Sequence, residues 1–137
     1  RHPASTIKDG AAVIEHLATS DETPDVIAVD EAFMISGIAD VLIWLYRSGI
    51  TIAVSSLDMS YSGKPFREVE KLLPWATRVE KCAAVCTACG RDAFYTHRKL
   101  IISEDEIQVG GAELYEPRCF RHHVAIDNRP DIVKSKQ

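Results

Sequence analysis

Two short cysteine-containing turns constrain this chain more than anything else in it. They are Cys86-Thr87-Ala88-Cys89 and, further on, Cys119-Phe120-Arg121-His122. A two-residue gap lets one tight turn aim both side chains at a single ion, and two such turns complete a closed tetrahedral shell. Thiolate and imidazole donors with no open position describe a structural Zn²⁺, not a centre that activates water. His123 competes with His122 for the fourth place, although it breaks the two-residue spacing. Cys82, in an apolar stretch before the first turn, is expected to be a buried core thiol. The ion would pin the base of a long connection, Gly90 to Arg118, and connections of that length in compact proteins tend to be functional.

Ahead of the first turn the pattern changes to alternating helices and strands. Apolar residues from Ile7 to Thr19 recur near the helical period. Val26 to Val29 is a short, largely β-branched run that predicts a buried parallel strand delivering Asp30 and Glu31 to the sheet's edge. Ile38 to Tyr46 predicts a second helix and Ile50 to Val54 a second buried strand, which ends in Ser55-Ser56-Leu57-Asp58. A short amphipathic helix is expected at Phe66 to Leu73 and a third strand at Arg78 to Val85. This order predicts an α/β fold, a parallel sheet flanked by helices, with ligands at the carboxyl ends of the strands. The expected division is 1–85 for that domain, 86–123 for a small zinc-binding domain, and 124–137 for a fraying tail.

The net charge of −4 carries no whole-chain basic footprint for nucleic acid. No apolar run approaches the ~18 residues of a membrane span, so a cytoplasmic protein with reduced thiols is the expectation. At a strand end, one acid can hold Mg²⁺ while the next takes a proton, the arrangement phosphoryl-transfer enzymes use. A solvated strand end is the plainer reading of such a pair on its own. The glycine-rich phosphate loop G-x-x-x-x-G-K-[ST] has no match: the single Gly-Lys, Gly63-Lys64, is followed by Pro65, and Asp58 stands where the first glycine belongs.

Four stretches, taken in order, resemble the type II (zinc-containing) thymidine kinases. They are Val26 to Glu31; Leu57-Asp58 through Lys64-Pro65-Phe66; Ala84 to Cys89 followed by Tyr95-Thr96; and Val109-Gly110-Gly111-Ala112 through Tyr115 to Cys119. The resemblance implies a P-loop-kinase-like sheet whose first strand and phosphate loop are expected upstream of Arg1, joined to a zinc-ribbon or lasso domain. It implies ATP-dependent phosphorylation of the thymidine 5′-hydroxyl, with Glu31 as the base and Asp30, Ala32 and Phe33 beside Mg²⁺-ATP. Tyr61 would stack on thymine and Leu57 would line its pocket. The lasso main chain at Glu106, Ile107, Gln108, Val109 and Gly110 would hold the base, with Tyr115 beside sugar and base. Cys86, Cys89, Cys119 and His122 would carry the zinc. Arg98 matches a family arginine that could approach phosphates, a solvated surface arginine being the alternative. The family also implies a homotetramer with neither nucleic-acid nor membrane partners. A degenerate, non-catalytic copy kept for binding or assembly is the second reading of the same features.

Overall fold

Helix α1, Gly10–Ala18, begins at Asp9, whose carboxylate accepts the Ala12 N–H at 2.9 Å and so satisfies one of the free donors of the first turn. Gly10 allows the chain to pass close by: a Cβ there would fall 2.6 Å from the Gly37 carbonyl carbon, and the Gly10 N–H donates to the Ser36 carbonyl at 2.8 Å. This computed structural model describes residues 4–99 and 109–123.

Strand β1, Val26–Val29, pairs in parallel with β2, Thr51–Val54, in the register Val26 to Thr51 and Val29 to Val54. Helix α2, Ile38–Arg47, connects them and presents Ile38, Leu42 and Leu45 on one face, one helical turn apart. It ends in a glycine-terminated turn. Gly49 has φ 100°, its N–H donates to Tyr46 at 3.0 Å, and the Ile50 N–H reaches back to Leu45 at 3.2 Å. The core gathers Val13, Val29, Ala32, Ile35, Ile38, Leu42, Leu45 and Ile50, with Ile27 and Ile52 packed against it. Helix α3, Arg67–Leu72, follows, continued by a 3₁₀ turn over Leu73–Trp75. Its Glu68 carboxylate accepts the Ala39 N–H at 3.0 Å and caps α2, whose own cap residue is Gly37. The exposed Lys71–Asp40 pair beside it, at 3.2 Å, contributes little.

The remaining strands are short and antiparallel. Strand β3, Ala84–Val85, pairs with β4, Asp92–Ala93, and β5, Tyr95–Arg98, pairs with β6, Tyr115–Arg118. The chain forms two compact units, Arg1–Asp58 with Phe66–Val79, and Met59–Pro65 with Glu80–Gln137. The first is a mixed α/β unit with a small parallel sheet, as the alternation of helices and strands predicts.

Three expectations are corrected. No parallel strand runs from Arg78 to Val85; only its last two residues pair in a strand, antiparallel with β4, and the Cys86 N–H donates to Arg91 at 2.8 Å beside that pairing. Cys82 lies in that uncovered stretch and is exposed, not a core thiol. The parallel strands are buried on one side only: Val26, on the other side, keeps 57% of its surface, and Ala28, Thr51 and Ala53 beside it are exposed. Among the described residues, the helices that pack with the sheet cover the Ile27, Val29 and Ile52 side and leave the other bare. No described helix is long and apolar enough to cross a membrane.

Candidate functional site

In the first unit the ends of the two parallel strands are laced together. The Ser55 N–H continues the ladder to Val29 at 2.9 Å, and the Ala32 N–H reaches Ser55 at 3.4 Å. Asp30 Oδ1 accepts the Glu31 N–H at 2.9 Å and the Ser55 hydroxyl. The Phe33 N–H donates to Ser56 Oγ at 3.0 Å, and its ring lies 4.7 Å from that of Phe66. Within this lacing Glu31 adopts φ 58° and ψ 39°, the one left-handed non-glycine residue among those described. That conformation costs about 1–2 kcal/mol for a residue with a Cβ, and persists only where the surroundings over-determine it. Asp30 and Glu31 are both exposed, Ala32 is fully buried, and Leu57 is 48% exposed. The result is a carboxylate held by neighbouring donors beside a second, strained one open to a ligand. Ser55 and Ser56 were not singled out from sequence, since serines after a strand are common loop residues.

The second unit holds the two tyrosines named from sequence. Tyr61 sits on a turn closed by the Ser60 N–H to Lys64 at 2.8 Å, with Gly63 at φ 84°. Tyr115 opens β6 opposite Arg98 of β5. The Arg98 guanidinium lies 3.8 Å from the centroid of the Tyr61 ring and 5.9 Å from that of Tyr115. Arg98 is 6% exposed, so it is not a solvated surface arginine. Of the lasso residues, Val109 is exposed and Gly110 approaches Leu114 closely; a Cβ at 110 would fall 2.7 Å from Leu114 Cγ. Glu106, Ile107 and Gln108 lie outside the described residues.

Also in this unit, the ligand atoms of Cys86, Cys89, Cys119 and His122 all lie within 4.8 Å of one another. Cys89 and Cys119 sulfurs are 3.7 Å apart, and His122 Nδ1 is 3.2 Å from Cys119 Sγ and 4.0 Å from Cys86 Sγ. The first turn is shaped by Gly90 at φ 75°, whose N–H donates to Cys86 at 2.9 Å, and is tied to β6 by Thr87 N–H to Pro117 at 3.2 Å. Arg118 braces the second turn by donating to the His122 carbonyl at 3.3 Å and to Glu116 at 2.8 Å. Burial pushes the Cys86 thiol up, but backbone N–H donors from Cys119, Ala88 and Cys89 outweigh it and bring its pKa down to about 6. At Cys89 a backbone donor from Arg91 acts downward, yet desolvation and the sulfurs of Cys119 and Cys86 raise it overall. Sulfurs that oppose one another's ionisation at this spacing suit a shared cation, and three thiols with one imidazole suit zinc. His123 is not in the cluster. It is 1% exposed, and its Nε2 meets the Thr96 carbonyl at 2.5 Å.

The thymidine kinase family model matches residues 4–123. Two curated relatives, each called thymidine kinase and each from a strain of Ureaplasma parvum serovar 3, are 30% identical over 144 residues. The alignment covers 98% of this chain and 64% of each relative, so the chain spans less than two-thirds of their length. With a family model over most of its length and a Cys/His cluster that could hold a zinc ion, the chain belongs to the thymidine kinase family.

Proposed function

We propose that a protein carrying this chain transfers the γ-phosphoryl group of ATP to the 5′-hydroxyl of thymidine, giving thymidine monophosphate. The strained Glu31 beside Asp30 carries this reading, because the backbone spends stability on presenting a carboxylate at the end of a parallel strand. Glu31 takes the 5′-hydroxyl proton as the hydroxyl oxygen attacks the γ-phosphorus and the bond to ADP breaks. Asp30, with one oxygen already engaged by the Glu31 N–H and the Ser55 hydroxyl, would offer its other to Mg²⁺-ATP, with Ala32 and Phe33 as neighbours in that role. Mg²⁺ bound with ATP would neutralise phosphate charge. Thymidine is held by Tyr61, Leu57, Tyr115 and the lasso main chain at 106–110. Zinc held by Cys86, Cys89, Cys119 and His122 is structural, and the lasso domain runs from Cys86 to His123. A cytoplasmic homotetramer completes the proposal.

Glu31→Gln in the full-length protein is the test. The expected result is a fall in kcat of roughly two to four orders of magnitude, the contribution of a lost general base, with thymidine affinity little changed. Near-normal turnover removes Glu31 from the role.

A further inference from the structure

We propose that Arg98 is a positioning residue for nucleobase selection, clamping one face of Tyr61 so that only the other is open to a pyrimidine nucleoside; this rests on the thymidine-binding role of Tyr61 proposed above. The guanidinium is 3.8 Å from the Tyr61 centroid, within contact distance of the ring face, and the side chain is 6% exposed. Burying a cation is costly unless something replaces its water, and the negative faces of Tyr61 and Tyr115 both lie near enough to contribute. A planar guanidinium can lie flat on a ring in a way that an ammonium cannot.

The backbone makes this arrangement directional. Arg98 is the last residue of β5, paired with Tyr115, and the next N–H, that of Lys99, donates to Leu114 at 2.7 Å. Two residues earlier on the same strand, the Thr96 carbonyl meets the buried His123. The clamp is therefore anchored through β5 and not through the turn that carries Tyr61. That turn is short and closed by its own Ser60 and Lys64 hydrogen bond. It sets where Tyr61 starts, and Arg98 sets the plane of its ring. A ring with one face occupied can sandwich one planar ligand, and the charge behind it draws density from the face the ligand meets. Such a surface suits a pyrimidine ring, and it forms before the nucleoside arrives.

The test uses Arg98→Met and Arg98→Lys in the full-length protein, with thymidine affinity by titration and separate KM values for thymidine and ATP. Arg98→Met is expected to weaken thymidine about tenfold, equivalent to ~1.4 kcal/mol, with kcat and the ATP KM little changed. Arg98→Lys recovers only part of this, because it restores charge without the planar stack. Adding Tyr61→Leu to Arg98→Met should cost less than Tyr61→Leu alone, the sign of a shared contact. Unchanged thymidine affinity in both variants overturns the clamp, as does a rise confined to the ATP KM, which would assign Arg98 to phosphates. The stack is also read without any ligand. Arg98 side-chain proton resonances should lie upfield under the Tyr61 ring current and return to ordinary positions in Tyr61→Leu. If wild-type protein shows that shift but binds no thymidine, the proposed function fails while the stack stands; if the shift is missing, the clamp itself is wrong.

Discussion

Zinc removal should loosen the second unit far more than it disturbs the first. An ion held by the cluster would cross-link two turns separated by thirty residues from Cys89 to Cys119. In the chain-entropy treatment, closing a loop of that length removes about 12 cal/mol/K from the unfolded chain, or ~3.6 kcal/mol at 25 °C. Among the described residues, ordinary contacts across the same gap hold β5 to β6 through their four-residue pairing, the Lys99–Leu114 hydrogen bond and the His123–Thr96 contact, while the ligand turns themselves are tied in by the Thr87–Pro117 hydrogen bond and the Tyr95–Phe120 rings at 5.9 Å. They cannot replace a cross-link of that size. The assay is thermal unfolding followed by circular dichroism, on protein as purified, after a strong chelator, and in Cys89→Ser. At about 4–8 °C per kcal/mol for a domain this small, Tm should fall by roughly 15–30 °C on chelation. Cys89→Ser should reproduce most of that fall and leave little for the chelator to add, because both act on one cross-link. His122→Ala should behave like Cys89→Ser. A chelated protein, shown by elemental analysis to be metal-free, that melts where the untreated one does would refute the argument.

Acid should release the metal in a defined window. The Cys86 pKa is depressed from 9.0 to about 6, so thiolate stabilisation is present above the unfolded value and is lost as pH falls through 6; bound zinc moves the loss lower still. Half-release, followed with a chromogenic chelator, is expected below pH 6, and half-release near pH 7 would contradict it. Glu31→Gly should raise stability by about 1 kcal/mol in denaturant titration, relieving the left-handed strain while abolishing turnover. Gly10→Ala should cost roughly 1–3 kcal/mol, because its Cβ meets the Gly37 carbonyl; a neutral result would mean that α1 can shift freely.

What was legible in the sequence was what local rules determine. Two-residue spacing picked out the four side chains that cluster and could hold a metal, and a β-branched run ending in Asp30 marked β1 to the residue. The helical periods of α1 and α2 were similarly plain. What escaped was decided by distant partners. A glutamate carries no preference for the left-handed region, so the turn at Glu31 follows from the lacing of Ser55 and Ser56 and not from Glu31 itself. Arg98 looked like a surface or phosphate-facing residue because a cation over a ring leaves no periodic trace. The stretch from Arg78 had strand-like alternation but no neighbouring strand to pair with, and propensity without a partner does not make a sheet.

The cap that Glu68 places on α2 has a consequence for the order of assembly. Ala39 and its partner lie 29 residues apart, so the first turn of α2 cannot be finished by its own neighbourhood. Its start at Gly37 offers no side chain, and an isolated α2 peptide would fray there. The strand that follows α2 and the polar turn after it have to be threaded before α3 can deliver the carboxylate. In native-state hydrogen exchange, α3 and the Ala39 amide it caps would then open together, while the Leu42–Leu45 half of the same helix stays protected with the core. A single helix would report two free energies of opening, divided where the borrowed cap ends.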